Sequence, residues 1–254
     1  MPDLDDPRLE TAAVRARYND PKNYTSEDSW HRFTGAETHR QIVRFWRSES
    51  RRNQVVLNAG SGDFELGIES ALTINLDISE TRVSRLPNAV VGSVQAIPLK
   101  DNAVDAIFCV GSVINYCDAG ATISEFARVL RPGGYLILEF ESSRSAELRT
   151  QDGFGRSVGL AETFYGDGPE VVWVYTPQFI AHLLEAARIP ILNRVAIHVL
   201  SPWALLLFGS ISVASVVARL DPVVRHVPVL NRWASNHLFV GRSLCHDGRD
   251  DTQL

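Results

Sequence analysis

Two short stretches near residue 60 carry the residue types that could hold a nucleoside. An apolar run at 55–57 leads into Asn58-Ala59-Gly60-Ser61-Gly62, and a second run at 74–76 ends at Asp77. A glycine pair directly after a buried strand lets the backbone turn tightly and approach a ligand closely. A carboxylate at the tip of the next strand can accept hydrogen bonds from both hydroxyls of a ribose. The spacing therefore predicts a nucleoside-binding edge of a sheet.

The elements that must position these residues alternate between strands and helices. Apolar runs predict strands at 54–59, 73–78, 89–92, 104–110 and 135–140, and the periodicity predicts helices at 26–50, 64–69 and 121–130. This alternation predicts an α/β fold with a doubly wound parallel sheet, which binds ligands beyond the carboxyl ends of its strands. Four stretches, at 58–62, 77, 92–95 and 109–111, fall at such strand ends. The polar first 25 residues are expected to follow the surface.

The motifs resemble those of the class I S-adenosylmethionine-dependent methyltransferases, in particular the type 11-like group. The segment at 58–64 stands where the family has an acid followed by Gly-x-Gly-x-Gly, and Asp77 matches its ribose-binding acid. The segment at 92–99 is similar to the family's Gly-Asp-Ala-x-x-Leu-Pro-Phe. The most specific match is the segment at 125–135, which contains Arg-Pro-Gly-Gly. A dinucleotide-binding Gly-x-Gly-x-x-Gly is not satisfied, because Glu65 occupies its last position.

The resemblance implies a Rossmann-like seven-stranded sheet with helices on both faces and S-adenosylmethionine as the cofactor. It also implies an N-terminal helical lid over 1–53 and a methyltransferase domain over 54–254, with insertions at about 144–174 and 199–236, the second of them helical. The cofactor-binding residues it implies are Tyr24, Asn58, Ala59, Gly60, Gly62, Asp77, Ile78, Ser93, Val94, Val110 and Gly111. The aromatic residues of the first insertion either line an acceptor pocket or anchor the loop.

Three positions depart from the family pattern. Asn58 replaces the acid of the first motif, Phe64 replaces its third glycine, and Ser93 stands where an adenine-binding Asp is common. Asn58 keeps an amide oxygen that accepts hydrogen bonds but lacks a full negative charge. We therefore expect an ordinary or modestly weakened cofactor affinity rather than an inactive site.

Three residues are candidates for the chemistry of methyl transfer. The methyl group of a sulfonium is already activated, so the protein supplies mainly position, and a general base helps a hydroxyl acceptor. His31 is the first candidate base, Tyr116 follows the fourth predicted strand, and Glu141 follows the fifth. Each has a plainer interpretation: a packing histidine, a tyrosine packed beneath the lid, and a solvated acid.

An apolar segment at 195–220 is long enough to suggest a transmembrane helix. His198, Pro202 and several serines interrupt it, and it lies between two strands of one sheet, which a single membrane crossing would separate. We therefore predict no transmembrane span. Three interpretations of the segment remain: a helical cover over an apolar acceptor pocket, a dimer surface, or a helix that rests on a membrane surface.

The composition narrows the class of protein. The chain has 254 residues, 45% hydrophobic and 22% charged, and its net charge of −5 favours no nucleic acid. Three cysteines without metal-ligand or disulfide-framework spacing and a polar start without a signal peptide predict a cytoplasmic protein.

The expected function is S-adenosylmethionine-dependent methyl transfer to a small-molecule acceptor. The apolar segment at 195–220 favours a lipophilic or natural-product-like acceptor. A hydroxyl is slightly preferred to an amine as the group that is methylated. One alternative is a non-catalytic S-adenosylmethionine-binding module. The other is a methyltransferase that acts on a macromolecule, although the segment at 111–116 lacks the Asn/Asp-Pro-Pro-Tyr motif of many nucleic-acid enzymes.

Overall fold

A seven-stranded sheet in the order β3-β2-β1-β4-β5-β9-β8 organises the computed structural model, which describes residues 11–20, 29–49, 53–165 and 168–244. Its strands are β1 (Val55–Ala59), β2 (Leu72–Asp77), β3 (Ala89–Val91), β4 (Val104–Cys109), β5 (Leu130–Glu141), β8 (Ile191–Ile197) and β9 (Asn236–Arg242), while β6 (Val158–Tyr165) and β7 (Gly168–Tyr175) form a separate hairpin. The helices are α1 (Thr11–Asn19), α2 (Ser29–Glu49), α3 (Glu80–Val83), α4 (Ala119–Val129), α5 (Pro177–Ala186), α6 (Ser201–Phe208), α7 (Ile211–Val217), α8 (Asp221–Val224) and α9 (Pro228–Asn231). The predicted α/β fold is confirmed.

The strand order reverses beside β1. The first five strands of the sheet run parallel, with β1 between β2 and β4, whereas β9 runs antiparallel to both β5 and β8. Because the chain winds outward from β1 in one direction and then from β4 in the other, a crevice opens beyond the carboxyl ends of these two strands. The glycine loop after β1 therefore lies at the position where such sheets bind ligands.

The two faces of the sheet pack against different helices. Successive side chains of a strand point to opposite faces, so Ile107 packs with α4 and α5 on one face, and its neighbour Phe108 packs with α2 on the other. From α2, Ile42 and Trp46 enter the core, and the Trp46 indole also donates to the carbonyl of Glu69 at 2.7 Å. The C-terminal half of α2 is thus part of the core.

The predicted helix at 64–69 is absent, and this prediction is wrong. Residues 61–70 carry no regular secondary structure, although they connect two parallel strands. Gly62 and Gly67 have φ of +52° and +62°, which interrupt a right-handed helix, and the Asn58 amide holds the carbonyl of Phe64 at 2.9 Å. Helix α2, which precedes β1 in the chain, covers the face of the sheet that a crossover helix between β1 and β2 would otherwise occupy.

Helix α1, at 11–19, buries only Val14, and its other side chains are exposed or partly exposed, in keeping with a segment that follows the surface. One further expectation needs correction. The Arg-Pro-Gly-Gly turn does not separate α4 from β5 but lies within β5 as a bulge. There Leu130 pairs with Val104 and Tyr135 pairs with Ala106, so four residues bulge opposite one. Gly133, with φ of +79°, makes this possible.

The apolar segment at 195–220 begins as the end of β8 and continues as α6 and α7. Among the described residues, no helix combines the length and apolar character that crossing a membrane requires. Helix α7 packs against α2, where the hydroxyls of Ser29 and Ser215 are 2.7 Å apart. The segment is therefore a helical layer on the outer side of α2.

Candidate active site

A cavity of about 500 Å³ lies beyond the carboxyl ends of the central strands. Its walls come from the glycine loop at 60–64, the tips of β2 and β4, the segment at 92–95, helices α1 and α2, and strand β7. The described cofactor candidates that line it are Asn58, Gly60, Gly62, Asp77, Ile78, Ser93, Val94, Val110 and Gly111. Ala59 does not line it, because its side chain packs in the core, and Tyr24 lies outside the described residues.

The glycine loop is held against the segment that follows β4. Gly60 has φ of +73°, and a Cβ atom at this position would come within 2.4 Å of Val113 Cγ2. Gly62 has φ of +52°, and its backbone N–H donates to Asp77 Oδ2 at 2.7 Å. The positive φ favours glycine at both positions, and close packing against Val113 further requires it at Gly60.

Asp77 is fixed at the tip of β2 by two backbone donors. Oδ2 accepts from Gly62 and Oδ1 accepts from the N–H of Ser79 at 2.7 Å. Burial raises the pKa of this carboxyl above its ordinary value, while these two N–H groups lower it. A carboxylate oxygen has more than one lone pair, so each oxygen keeps capacity for a ligand hydroxyl.

The three departures from the family pattern have structural uses. Both hydrogens of the Asn58 amide are engaged, by the carbonyl of Phe64 and by Asn75 Oδ1 at 3.0 Å, which leaves Oδ1 for a ligand. Ser93 Oγ accepts from the N–H of Gln95 at 3.2 Å. Phe64 lines the cavity with its ring edge-on to His39, at 6.1 Å between ring centres.

The wall beyond β4 is positioned by a buried acid that sequence reasoning did not single out. Glu139 of β5 is fully buried and accepts from the N–H of Ser112 and from Asn236 Nδ2, both at 2.6 Å. Burial raises the pKa of Glu139. Next to Ser112, Gly111 has φ of +79°, and no atom lies within 4 Å of where its Cβ would stand. The cavity is therefore open directly above this turn.

The cavity is also lined by a cluster of polar side chains, which we call the acceptor cluster: Arg17, Tyr18, His31, Tyr116 and Glu170. Glu170 of β7 is 4% exposed, and its Oε1 lies 2.9 Å from Arg17 Nη1. Burial raises the pKa of Glu170, and Arg17, a hydrogen bond from Tyr116 and the charge of His31 lower it. The ring of Tyr18 meets that of Tyr116 edge-on at 5.5 Å. Two predicted catalytic residues, His31 and Tyr116, are thus brought together.

Glu141, the third predicted catalytic residue, lines the same cavity and is 8% exposed. Its backbone, rather than its side chain, is fixed by Asn115, which accepts from the N–H of Glu141 at 3.0 Å and donates to the carbonyl of Trp173 at 2.5 Å. Asn115 therefore joins the end of β5 to the β6–β7 hairpin. This places the hairpin, and with it Glu170, over the cavity.

Three buried polar atoms around the cavity have no hydrogen-bond partner among the described residues. They are Thr38 Oγ1 and His39 Nδ1 on α2 and Glu170 Oε1 on β7, the last being ion-paired with Arg17 but out of line for a hydrogen bond. Unpaired buried polar atoms are costly, so their concentration along one cavity indicates a polar ligand that pairs with them.

The family described as "Methyltransferase domain" matches residues 59–138 of the chain. That stretch holds the glycine loop, Asp77 and the wall beyond β4, which line the cavity. The matched stretch is thus similar to the class I S-adenosylmethionine-dependent methyltransferases. The cofactor of this family, S-adenosylmethionine, is the one that the sequence motifs predict, so this prediction is confirmed.

Relatives of this methyltransferase are similar over the same part of the chain. A malonyl-[acyl-carrier protein] O-methyltransferase of Methylococcus capsulatus is 38% identical over 108 residues, which cover 37% of this chain and 39% of the relative. A ubiquinone/menaquinone biosynthesis C-methyltransferase of Geobacter sulfurreducens is 33% identical over 104 residues, which cover 34% of this chain and 41% of the relative. The matches thus span about two fifths of these relatives' length.

Two solved structures share the fold over nearly the whole methyltransferase. The 1,6-didemethyltoxoflavin-N1-methyltransferase of Burkholderia thailandensis, solved with S-adenosylhomocysteine, has a TM-score of 0.55 at 13% identity and covers 94% of this chain and 89% of its own. The magnesium protoporphyrin IX methyltransferase of Synechocystis, solved with bound cofactor, has a TM-score of 0.57 at 14% identity, with coverages of 92% and 96%. At these identities the likeness concerns the fold alone.

The residues that line the cavity fit the cofactor. Asp77 offers acceptors to a ribose, Val94 offers an apolar surface to a base, and the turn at Gly111 leaves room. Sequence reasoning missed Arg17, Thr38, His39 and Glu170, which also line the cavity. Arg17 and Glu170 lie in polar stretches without a motif, and only their pairing in space distinguishes them.

Proposed function

We propose that the chain transfers the methyl group of S-adenosylmethionine to a small-molecule acceptor that carries a hydroxyl or amine. The observation that carries this proposal is a single cavity lined both by the family's nucleoside-binding residues and by the acceptor cluster. Its volume of about 500 Å³ is in the range of small-molecule sites. The cofactor, when bound, supplies a methyl group activated by the positive charge of its sulfur.

The protein's own residues would hold the cofactor and exclude water. Asp77 would accept from the ribose hydroxyls, Asn58 Oδ1 would accept from the ammonium group, and Val94 would pack against the adenine. The rings of Trp30 and Tyr18 close the cavity from the side of α1 and α2. Trp30 is fixed there by stacking on His198 at 3.8 Å between ring centres. Holding the two reactants in one orientation supplies most of the rate in such a displacement.

Glu170 is the residue best placed to receive the acceptor's proton. Its carboxylate is buried in the cavity wall, and Arg17, 2.9 Å from Oε1, keeps it ionised more than burial alone would allow. Glu170 would accept the proton that the acceptor's oxygen or nitrogen loses when it takes the methyl group. Tyr116 and His31 would orient the acceptor, and Glu141 would line its path.

An acceptor with an apolar body fits the remaining wall. Val14, Ile42, Val113 and Trp30 also line the cavity. A lipophilic or natural-product-like molecule with one hydroxyl or amine would bury its apolar part there and present its donor to Glu170. The relative named as a malonyl-[acyl-carrier protein] O-methyltransferase methylates an oxygen atom, in keeping with an oxygen acceptor.

The experiment that tests the proposal is calorimetric titration of S-adenosylmethionine and S-adenosylhomocysteine into the protein and into Asp77→Ala. We expect micromolar binding, weakened by about 1–3 kcal/mol in the variant because two ribose hydrogen bonds to a charged group are lost. A radiolabelled-methyl screen of hydroxyl and amine acceptors follows. Absence of cofactor binding by the unmodified chain would refute the proposal, and tight binding without turnover on any acceptor would favour a binding module.

A further inference from the structure

The helical layer outside α2 exposes an apolar surface, which we call the apolar cap and define as the surface of residues 203–233. Of the fifteen large apolar side chains that are exposed among the described residues, ten lie between Leu206 and Val229. The most exposed are Val223, Leu207 and Phe208, at 73%, 72% and 66%. A contiguous apolar surface of this kind marks an interaction site rather than an ordinary solvated face.

The charges of the apolar cap have one sign at the surface. Its only acid, Asp221, is 2% exposed and accepts from the N–H of Leu200 at 3.2 Å. Of its basic side chains, Arg225 pairs with Glu37 at 2.5 Å, whereas Arg219 and Arg232 are exposed. A basic apolar surface on a chain of net charge −5 complements a surface that is both apolar and anionic.

Aromatic side chains border the apolar cap beside further arginines. Trp203 and Trp233 meet edge-on, with ring centres 5.6 Å apart, and both are partly exposed. The Arg149 guanidinium lies 5.7 Å from the Trp203 ring centre, and that of Arg232 lies 5.0 Å from Trp233. Tryptophan and arginine side by side, next to exposed Leu and Phe, form the combination that favours the boundary between lipid headgroups and acyl chains.

We propose that the apolar cap docks on the surface of an anionic lipid bilayer. Helices of eight, seven and four residues are far too short to span a bilayer, so they lie along it with their apolar side chains below the headgroups. Arg219 and Arg232 then contact the lipid phosphates. Each basic residue near such a surface strengthens binding by about fivefold, in addition to the apolar burial.

A second copy of the chain fits this surface less well. A two-fold interface presents the same patch from both partners, so the arginines of one apolar cap would face the same region of the other. That region has no exposed acid to receive them. An anionic lipid surface supplies the missing negative charge.

Docking would hold a wall of the cavity near the bilayer. The apolar cap is fixed to α2 by the Ser29–Ser215 contact and by His198, whose imidazole lies 2.7 Å from both Thr34 Oγ1 and Ser201 Oγ. The same helix lines the cavity, through Thr34 and Thr38 among other residues. No residue of 199–220 is among the described residues that line it, so the segment is not a direct cover of the acceptor.

Vesicle flotation with the full chain tests the proposal. The probes are phosphatidylcholine vesicles with and without about one third phosphatidylglycerol. We expect the protein to float with the anionic vesicles and to be released by high salt. Arg219→Gln/Arg232→Gln should lower the partition coefficient by about 30-fold, and Leu207→Ser/Phe208→Ser should lower it by about tenfold or more. The matched controls, Arg44→Gln/Arg47→Gln on α2 and Leu192→Ser on β8, should leave it unchanged.

S-adenosylhomocysteine binding distinguishes a folded variant from a damaged one, since none of the substituted residues lines the cavity. No flotation with anionic vesicles, or flotation that the controls reduce as strongly as the cap variants, would overturn the proposal. So would sedimentation equilibrium that shows a dimer in solution abolished by Leu207→Ser/Phe208→Ser, because the apolar cap would then belong to a second copy.

Discussion

The carboxylate of Glu170 and the guanidinium of Arg17 lie 2.9 Å apart, which joins the β6–β7 hairpin to helix α1 at the wall of the cavity. The two residues come from distant parts of the chain, and both line the cavity. The pair therefore sets the charge at the part of the cavity wall where we place the acceptor.

Replacement of Glu170 should separate chemistry from cofactor binding. Glu170→Gln keeps the size of the side chain but cannot take a proton, so we expect kcat/KM for the acceptor found in the screen to fall by about a hundredfold or more. Calorimetry should show unchanged S-adenosylhomocysteine affinity. Glu162→Gln, on the exposed side of the same hairpin, is the matched control. Full activity in Glu170→Gln would remove Glu170 from the mechanism.

Arg17 should control the pH at which Glu170 becomes a base. Burial raises the pKa of Glu170, whereas Arg17, the hydrogen bond from Tyr116 and His31 lower it. Activity should rise with pH as the carboxyl loses its proton. Arg17→Gln removes the positive charge that lowers the pKa of Glu170, so the rise in activity should move to higher pH. A pH profile of kcat/KM checks the direction, and an unchanged or lowered midpoint would contradict the assignment.

Gly60 and Gly111 have similar φ, but an added methyl group should lower the free energy of unfolding more at Gly60 than at Gly111. A Cβ on Gly60 would overlap Val113 at 2.4 Å, whereas one on Gly111 would meet no atom within 4 Å. Because φ is positive at both, each substitution by Ala costs about 1–2 kcal/mol of strain. Gly60→Ala should cost about 1–3 kcal/mol more through overpacking. Urea unfolding measures both, and Val113→Ala added to Gly60→Ala should recover part of the difference, because Val113 Cβ would still lie 2.9 Å from the new methyl group.

The parts of the site that depend on local sequence could be predicted. The glycine loop, Asp77 and the turn at Gly111 each follow a short apolar strand, and parallel strands bring their carboxyl ends to one edge. The parts of the site that depend on tertiary pairing could not be predicted. Glu170 and Arg17 acquire their role only when a hairpin and an N-terminal helix meet, and neither segment shows a motif.

The missing helix at 64–69 shows the same limit. Its apolar residues, Leu66 and Ile68, pack on the α2 side of the sheet, which is what a helical pattern would also require. Positive φ at Gly62 and Gly67 and the hydrogen bond from Asn58 decide the backbone instead. These constraints come from the contacts of the loop, and the spacing of apolar residues in the sequence does not predict such contacts.

Glu139 should be replaceable by a polar isostere but not by an apolar one. In Glu139→Gln the carbonyl can still accept from Ser112, and the Asn236 amide can rotate to accept from the new NH2 group. We expect a cost below about 1 kcal/mol, because burial already favours the neutral carboxyl. Glu139→Met leaves two buried donors unpaired and should cost about 2–4 kcal/mol. It should also weaken S-adenosylhomocysteine binding, since Ser112 adjoins the cavity wall. Equal costs in urea unfolding would contradict this.

His237 of β9 should make the protein sensitive to mild acid. Burial lowers the pKa of its imidazole from 6.5 to about 4, helped by the charge of Arg194, and Nε2 has no hydrogen-bond partner among the described residues. Below pH 6.5 the unfolded chain takes up a proton that the folded chain refuses. The stability that neutral His237 contributes is therefore complete above pH 6.5 and is lost as the pH falls toward 4. Between pH 7 and 5 the loss is about 2 kcal/mol.

The buried carboxyls Asp77 and Glu139 act in the opposite direction, since their raised pKa values favour the folded state as the pH falls. The measurement is therefore the difference in free energy of unfolding between His237→Gln and the unmodified chain at pH 7 and at pH 5. We expect the variant to gain about 2 kcal/mol relative to the unmodified chain over this interval. The exposed His226, replaced by Gln, should show no such gain. A difference that stays constant with pH would mean that the pKa of His237 is the same in the folded and the unfolded chain, and would contradict this prediction.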